Sequence, residues 1–311
     1  MKVYFEIPEL REKTAVAIGT FDGVHLGHQS VLHCARQNAI NKNYNFVVFT
    51  FLDHPAIVTG SKKVPQLLTT SEEKIALLEK YNIDYCIIPP FSKEFSLLTP
   101  EAFIKTILVE KLKAKDICIG FNFFFGHKAA GSGVTLNQLS NKYNYESEIV
   151  APVMFENNPV SSSLIRKLLS TGDIEKANQM LGYEYYLKGS VIKGKGIGRS
   201  VLGIPTANLL VNERKLLPGN GVYSCEVKLR GKKYLGVLNI GNRPTFDNGA
   251  KSVEVHILDF ADDIYDEILE LNFKSFLRKE KKFSDIEQLK KQILSDIDNC
   301  SALFSAKINI I

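Results

Sequence analysis

The amino-acid sequence predicts an α/β fold with an N-terminal doubly wound parallel sheet, a small antiparallel β-barrel after it, and a C-terminal helix. In the first half, short β-rich segments alternate with segments of helical periodicity, which is typical of a parallel sheet with helices on both faces. After Gly182 this alternation stops, and closely spaced β-rich segments separated by glycine and proline turns favour a small barrel. We therefore expect two domains, residues 1–182 and residues 183–311.

The composition is that of a soluble globular protein. With 311 residues, of which 45% are apolar and 23% charged, the chain is long enough for two cores. A net charge of +5 suits anionic small molecules such as nucleotides but makes no case for nucleic acid. The five cysteines have the spacing of neither a disulfide framework nor a zinc site and indicate core thiols in a reducing compartment. Because neither a leader nor a long apolar run is present, we expect a cytoplasmic protein without membrane contact.

The first half contains the predicted parallel sheet and its helices. Strands are expected at residues 14–18, 45–51, 83–88, 116–120 and 148–153. Helices are expected at residues 29–41, 71–81, 99–112 and 134–143. We expect the second helix to open at Ser71, with Lys74 in place of a capping-box acid. The third has Thr99 as its cap and Pro100 at its first position.

The second half contains the predicted barrel. Its strands are expected at residues 185–193, 206–211, 222–230, 234–240, 252–258 and 268–273. A last helix is expected at residues 285–298. Four apolar residues recur on one face of this helix, which should cover the barrel: Ile286, Leu289, Ile293 and Ile297.

The turn between the first predicted strand and the first predicted helix has the features of an anion site. At a helix N-terminus the unpaired backbone N–H groups and the helix dipole both point outward and stabilise an anion. His25 and His28 are three residues apart, so they share one helix face and can both donate hydrogen bonds to one phosphate group. A pair of structural histidines is the alternative, and the preceding strand, the glycines and Asp22 favour the anion site.

This turn, Gly19-Thr20-Phe21-Asp22-Gly23-Val24-His25-Leu26-Gly27-His28, resembles two known signatures. Its last four residues are similar to the His-x-Gly-His signature of the nucleotidyltransferase superfamily, which includes class I aminoacyl-tRNA synthetases. The whole segment resembles bacterial FAD synthetases. The resemblance implies catalytic roles for His25 and His28. It also implies contacts with ATP at Gly19, Phe21, Asp22 and Gly27.

Residues 120–126 place one amide among several aromatic rings. The segment Gly120-Phe121-Asn122-Phe123-Phe124-Phe125-Gly126 has four phenylalanines in five positions, which is more than a surface turn requires. A planar apolar ligand would suit the rings, and Asn122 would supply directional hydrogen bonds; a hydrophobic loop packed on the core is the alternative. The segment resembles the flavin-contacting Gly-x-Asn-Phe-x-Phe-Gly segment of FAD synthetases and implies that Asn122 and Phe123 bind flavin.

Residues 159–166 suggest a phosphate site at the start of another helix. Serines ahead of a helix are common caps, and that reading alone would account for them. Arg166 on the first turn adds a guanidinium to the hydroxyl and amide groups, which suits phosphate. The segment resembles the family motif Ser-Ser-Thr-x-Ile-Arg, with Ser163 replacing Thr. It implies that Ser161 and Ser162 bind ATP phosphates and that Arg166 is catalytic.

One segment departs from the family pattern. Thr-Phe-Asp-Pro-His-Pro is common after the second strand of FAD synthetases, whereas this chain reads Thr50-Phe51-Leu52-Asp53-His54-Pro55. His54 and Pro55 keep their places, so the resemblance implies flavin contacts for both. A role for the family's aspartate cannot be carried over to Leu52, and Asp53 is the candidate substitute.

A glycine loop, Gly194-Lys195-Gly196-Ile197-Gly198-Arg199-Ser200, lies between the first two barrel strands. Residues 189–195 have P-loop spacing, but Gly196 stands where magnesium needs Ser or Thr, and no helix follows, so we reject both the P-loop and the Rossmann interpretation. Backbone amides of such a loop can still fold over phosphates. We expect ATP contacts at Gly194, Lys195, Gly196, Gly198 and Arg199; a mobile hairpin tip is the alternative.

The segment Gly203-Ile204-Pro205-Thr206-Ala207-Asn208 follows the glycine loop. Thr206 and Asn208 are two residues apart at a strand start, so both point to one face, and their oxygens suit magnesium already bound by nucleotide phosphates. Gly-x-Pro-Thr-Ala-Asn is similar to the signature of riboflavin kinases, and agreement continues at residues 218–223, 238–246, 253–256 and 276–280. In that family the glutamate at the position of Glu254 is the catalytic base. The resemblance also implies a flavin contact for Arg278.

The resemblance covers nearly the whole chain, from Ala17 to the last helix, and implies a bacterial bifunctional riboflavin kinase/FMN adenylyltransferase. The barrel would phosphorylate riboflavin with Mg²⁺ and ATP, and the first domain would join FMN to the adenylyl group of ATP. The expected partners are the substrates ATP, riboflavin and FMN, and FAD is the expected product. We expect no nucleic-acid partner and a monomer or weak homo-oligomer. The alternatives are an enzyme that retains one of the activities, another adenylyltransferase, or a flavin-binding sensor without catalysis.

Overall fold

The computed structural model describes residues 1–52, 55–58, 60, 64–194, 203–242 and 251–308, the last five by their backbone. The chain divides into two compact units, Met1–Ser162 and Ser163–Ile311. The predicted functional boundary, between residues 182 and 183, falls later in the chain. In the described parts of the chain no helix is both long enough and apolar enough to cross a lipid bilayer.

The first unit is built on a parallel sheet. Among the described residues the sheet has six strands: β1 Lys2–Tyr4, β2 Thr14–Ile18, β3 Asn45–Phe49, β4 Tyr85–Ile87, β5 Ala114–Gly120 and β6 Glu146–Val150. Their spatial order is β1–β4–β3–β2–β5–β6, and every neighbouring pair is parallel. The chain adds β3 and β4 on one side of β2, then β5 and β6 on the other. The carboxyl ends of β2 and β5 therefore form the topological switch point at which ligands of such sheets bind.

Helices cover the sheet of the first unit. They are α1 Leu26–Lys42, α2 Ser71–Leu78, α3 Lys93–Ser96, α4 Pro100–Ala102, a π-helical continuation Phe103–Lys111, and α5 Gly133–Tyr143. The sheet residues alternate in direction: Val16 and Ile18 belong to the core that includes Ile104 of the π-helical segment and Leu136 of α5. Helix α1 buries Val31, Leu32, Ala35 and Ala39 and packs along β2 and β5.

The helix starts show which capping signals were interpreted correctly. Thr99 is the predicted cap of α4, and its hydroxyl accepts a hydrogen bond from Ala102 N at 3.1 Å. Helix α2 begins at Ser71 as predicted, but the predicted cap is wrong, because Thr70 is the N-cap and forms a reciprocal capping box with Glu73. The short edge strand β1 was not predicted, nor was the hairpin of β7 Met154–Phe155 and β8 Asn158–Pro159.

The second unit is built on a closed antiparallel barrel. Before it come α6 Ser162–Thr171 and α7 Ile174–Leu181. The described barrel strands are β9 Tyr186–Ile192, β10 Ala207–Val211, β11 Gly221–Leu229, β12 Lys232–Asn242, β13 Lys251–Ile257 and β14 Ile268–Arg278. They close in the order β10–β13–β12–β11–β14–β9. The fold class predicted from the sequence is confirmed for both units.

The last helix, α8 Ile286–Ile308, is longer than predicted and covers the barrel with the later part of the predicted face. Cys300 is fully buried against Val222 and Val237, and Ile297 packs on the same cluster. Ile286, expected on the covered face, is 54% exposed. The first turn of the predicted apolar face is thus not used for packing.

Helix α7 is tied to the barrel by one amide side chain. Asn178 Nδ2 donates to Phe273 O at 2.9 Å, and Tyr185 N donates to Asn178 Oδ1 at 2.7 Å. We expect Asn178→Ala to lower the free energy of unfolding by about 1–3 kcal/mol, because it removes the side-chain hydrogen bonds to two backbone groups. Urea unfolding followed by circular dichroism measures the change. The exposed neighbour Gln179 supplies the control, since Gln179→Ala should alter stability by less than about 0.5 kcal/mol; equal effects of both variants would contradict the assignment.

Candidate active sites

The loop between β2 and α1, residues 19–25, has an unusual backbone. Phe21 and Val24 have φ angles of 48° and 34°, and a β-branched residue such as Val24 is rarely found in the left-handed region. Such strain persists only where the surroundings hold it in place, and it concentrates at functional sites. The Asp22 carboxylate supplies part of that hold, because its Oδ1 accepts from the N–H groups of Leu68 and Thr69 at 2.9 and 3.1 Å.

The two predicted catalytic histidines lie together at the N-terminus of α1. His25 is the N-cap, and its Nδ1 accepts from His28 N at 3.3 Å. The two rings stack with centroids 3.7 Å apart, and Phe21 lies 5.2 Å from the His28 ring. Gly27 gives the stacked rings room, because a Cβ there would lie 3.2 Å from the His25 ring and the ring would have to shift slightly. Within the described residues, His28 Nδ1 is a buried nitrogen without a hydrogen-bond partner, a feature that marks a candidate ligand contact.

The environment of the histidines keeps His28 neutral. Burial, the neighbouring His25 and the charge of Lys74 together hold the pKa of His28 well below its usual value of 6.5. Lys74 is itself 7% exposed, and its ammonium donates to Phe51 O at 2.6 Å and to Thr20 O at 3.4 Å. It thus joins the carboxyl ends of β2 and β3. In the sequence Lys74 stands out only as a departure from a capping box, and no local signal marks it as a buried charge.

We expect Lys74→Met to raise the pKa of His28 towards its usual value. The substitution removes a positive charge that disfavours the imidazolium, so proton uptake by His28 moves to higher pH. Titration of the His28 Cε1–H signal by NMR in parent and variant measures the change. An unmoved His28 titration would rule out the electrostatic coupling.

An aromatic cavity lies at the switch-point edge of the same sheet. Its volume is about 340 Å³, within the range of small-molecule sites. Predicted flavin contacts Phe123 and Pro55 line it, and so do Thr20 and Phe51 at the ends of β2 and β3. Further aromatic walls come from residues that no sequence signal marked: Phe91, Phe95 and Phe103. Asn122 is exposed on the loop after β5, and His54 and Asp53 lie outside the described residues.

The remaining predicted residues of the nucleotide site are placed as follows. Gly19 directly follows β2 and lies against the Phe21 ring. Ser162 Oγ donates to Asp22 O at 2.9 Å, so this serine supports the β2–α1 loop. Ser161 is half-buried just before α6, and Arg166 is half-buried on α6 within the second unit. Contacts of these residues with phosphate stay predictions.

In the barrel, three polar residues form one row across adjacent strands. Asn208 of β10 pairs in register with Glu254 of β13, and Glu254 pairs in register with Asn239 of β12. Directly opposite residues on neighbouring strands have their Cβ atoms about 4.5–5.5 Å apart. Asn208 and Glu254 were predicted from motifs about 45 residues apart, and the barrel brings them side by side. Asn239 was missed, although its half-buried position between buried neighbours follows the strand alternation.

Residues near this row complete the barrel site. Thr206 is exposed one residue before β10 and lines a cavity of about 660 Å³ together with Val191, Val255 and Ile257. The Asn208 amide lies so close to Gly194 that a Cβ there would be 2.1 Å from its Nδ2. This close approach explains the glycine at the end of β9. Four of the five ATP contacts predicted in the glycine loop lie outside the described residues: Lys195, Gly196, Gly198 and Arg199.

The predicted flavin contact Arg278 has a structural partner. Its Nε donates to Asp296 Oδ1 at 2.9 Å and its Nη2 to Asp296 Oδ2 at 2.8 Å, which is the bidentate geometry of a strong ion pair. Asp296 is 2% exposed, so the pair fixes α8 to the end of β14. The guanidinium is therefore engaged with the helix, and its contact with flavin stays a prediction.

Comparisons with known proteins match both units. The FAD synthetase family model matches residues 7–164, and the riboflavin kinase family model matches residues 181–304. The chain is 38% identical to the bifunctional riboflavin kinase/FMN adenylyltransferase of Listeria monocytogenes, over 93% of this chain and 92% of that protein. It is 36% identical to the Bacillus subtilis protein of the same name, over 96% and 95% of the two chains.

A solved structure agrees over the same length. A Streptococcus pneumoniae protein described as a macrolide-efflux protein superposes with a TM-score of 0.86 at 29% identity. The match covers 95% of this chain and 97% of that chain. Both the sheet unit and the barrel unit therefore have counterparts in one solved chain.

Proposed function

Because the chain belongs to the bifunctional riboflavin kinase/FMN adenylyltransferase family, we propose that its barrel phosphorylates riboflavin and its parallel-sheet unit adenylylates FMN. The enzyme makes FAD in two steps. ATP first phosphorylates riboflavin to FMN, and ATP then donates its adenylyl group to FMN with release of pyrophosphate. We assign the adenylyltransferase to residues 1–182 and the kinase to residues 183–311.

In the kinase step, Glu254 accepts the proton of the riboflavin 5′-hydroxyl as that oxygen attacks the terminal phosphate of ATP. The observation that supports this role is the in-register row of Asn208, Glu254 and Asn239. The side chains of Asn208 and Asn239 are neutral amides, so the Glu254 carboxylate is the group of this row that can accept a proton. Thr206, two residues before Asn208, lines a cavity that has room for a substrate. The glycine loop at residues 194–200 would contact the nucleotide, as the sequence predicts.

The donor set of the barrel site fits magnesium. Thr206, Asn208 and Glu254 offer hydroxyl, amide and carboxylate oxygens, which are the hard ligands that Mg²⁺ prefers. Thr206 and Asn208 would hold an ion that ATP brings with its phosphates. When bound, the ion neutralises charge on the phosphates. The chain's own residues position the hydroxyl and take its proton.

In the adenylyl-transfer step, the nucleophile is the FMN phosphate, which is already ionised and needs no strong base. The work of the protein is positioning and stabilisation of charge at the α-phosphate of ATP. His25 and His28 at the N-terminus of α1 suit this role, because His28 is neutral with an unpartnered ring nitrogen within the described residues. Ser161, Ser162 and Arg166 add phosphate contacts. The isoalloxazine ring occupies the aromatic cavity lined by Phe123.

The cysteines bear on the compartment in which the enzyme works. All five cysteines are free thiols, which suits a reducing compartment such as the cytoplasm. A monomer or weak homo-oligomer is expected, with ATP, riboflavin and FMN as partners and without nucleic acid.

Chromatography of riboflavin, FMN and FAD after incubation with Mg-ATP tests the proposal. FMN should form first and FAD later, and EDTA in excess of Mg²⁺ should abolish both products. Supplied FMN should give FAD without riboflavin. Tight binding of riboflavin without either product would identify a flavin sensor instead, and one missing product would show that only one activity is retained.

A further inference from the structure

A cluster of metal-ligand atoms lies on the α1 side of the sheet. Cys34 of α1, Cys118 of β5 and Glu148 of β6 each present one ligand atom, and these atoms lie within 4.8 Å of one another. The two sulfurs are 2.8 Å apart. Neither enzymatic step proposed above uses these residues. They come from separate parts of the chain, so the sequence carries no spacing that would mark them as a site.

Asn38 orients one of the ligand atoms of this cluster. Asn38 Nδ2 donates to Glu148 Oε2 at 3.2 Å and to Asp116 Oδ1 at 2.9 Å, which orients the Glu148 carboxylate beside the thiols. Lys42 pairs with Asp116 at 2.5 Å. Outer partners that orient ligating side chains in this way are typical of protein metal sites.

We propose that Cys34, Cys118 and Glu148 bind Zn²⁺ and thereby join α1 to β5 and β6. Thiolate and carboxylate are established zinc ligands, and a water molecule would complete four coordination, since Glu148 is exposed. With zinc about 2.3 Å from each sulfur in tetrahedral geometry, the sulfurs must separate by about 1 Å. Rotation of the half-buried Cys34 side chain allows this. Both thiols lose their protons to solvent as the two metal–sulfur bonds form.

Zinc at this cluster would stabilise the element that carries the adenylyl-transfer histidines. Helix α1 begins with His25 and His28, and Cys34 lies further along the same helix. An ion that binds the folded chain and not the unfolded one raises the unfolding temperature. The proposal concerns structure and leaves the chemistry at the histidines unchanged, so it stands or falls independently of the proposed function.

Co²⁺ serves as the spectroscopic probe of the proposed zinc site. It is added as the only metal to the full chain, in a buffer with a phosphine reductant that keeps the thiols reduced. We expect one Co²⁺ per chain and a thiolate-to-cobalt absorption band in the near ultraviolet, both lost in Cys34→Ser and Cys118→Ser. Cys300→Ser, which changes another buried thiol far along the sequence, should retain the band. Asn38→Ala, which keeps all three ligands, should weaken binding about 10- to 100-fold.

Thermal unfolding with Zn²⁺ gives a second readout that does not depend on colour. The parent should unfold at a higher temperature with Zn²⁺, and Cys34→Ser should not respond. Three results would overturn the proposal: a parent chain without the band, a band that survives in both cysteine variants, or a band lost equally in Cys300→Ser. Circular dichroism of each variant confirms that it is folded.

Discussion

Glu254→Gln should lower FMN formation by about 10²–10⁴-fold, the contribution typical of a general base. The amide keeps the size and hydrogen-bonding reach of the carboxylate but cannot accept the hydroxyl proton. Riboflavin and Mg-ATP should still bind, because Asn208 and Thr206 are unchanged. Given FMN, the variant should make FAD at the parent rate, and given riboflavin it should make neither product. Chromatography of all three flavins after each incubation distinguishes these outcomes.

Glu226→Gln is the matched control for this variant. Glu226 lies half-buried on β11 and pairs with Lys233 at 3.2 Å, outside the row of Asn208, Glu254 and Asn239. The same chemical change there should leave FMN formation near the parent level, because a surface ion pair contributes little. If Glu254→Gln phosphorylates riboflavin as fast as the parent, the kinase mechanism must be abandoned.

His28→Ala should lower FAD formation by about 10²–10³-fold, the typical cost of losing one preorganised donor to developing charge. The variant loses the imidazole whose Nδ1 has no partner among the described residues. It keeps the backbone N–H of residue 28, which donates a hydrogen bond to His25 Nδ1. The N-cap of α1 should therefore survive. FMN formation should remain at the parent level, since the barrel supplies that activity.

The measurement follows both reactions in the same preparation. His33→Ala, on an exposed position of α1, controls for a change of helix composition and should affect neither reaction. Equal losses of FMN and FAD formation in His28→Ala would indicate a general folding defect. Unchanged FAD formation would remove His28 from the mechanism.

Local patterns of the sequence were sufficient to predict the fold class and most of its longer strands and helices, though not the short strands β1, β7 and β8. Alternating β-rich and helical periodicities depend on neighbours a few residues apart, so the parallel sheet and the barrel could be predicted before any tertiary contact was known. Thr99 before Pro100 indicated the start of α4 for the same reason. The cap of α2 was misassigned because Thr70 and Ser71 are both plausible caps, and the reciprocal bond of Glu73 distinguishes them.

Motifs also located the histidine pair, the aromatic loop and the Asn208 and Glu254 positions. Each motif lies within about ten residues of chain, so the chemistry of its side chains can be interpreted directly. The motifs did not reveal which of their polar groups the fold itself uses. Asp22 accepts two backbone N–H groups from the chain near Thr69, and Arg278 is paired with Asp296.

Sequence alone thus determined the order of strands and helices, the family, and the short segments that carry the chemistry. Only the tertiary structure decided which distant side chains meet: Lys74 at the ends of β2 and β3, Asn239 beside Glu254, and Cys34 beside Cys118. The physical reason is that periodicity encodes the burial of each face, whereas partners tens of residues apart depend on strand register and helix packing. Register and packing are set by the summed contacts of the whole core, and these contacts cannot be inferred from any one short segment of the sequence.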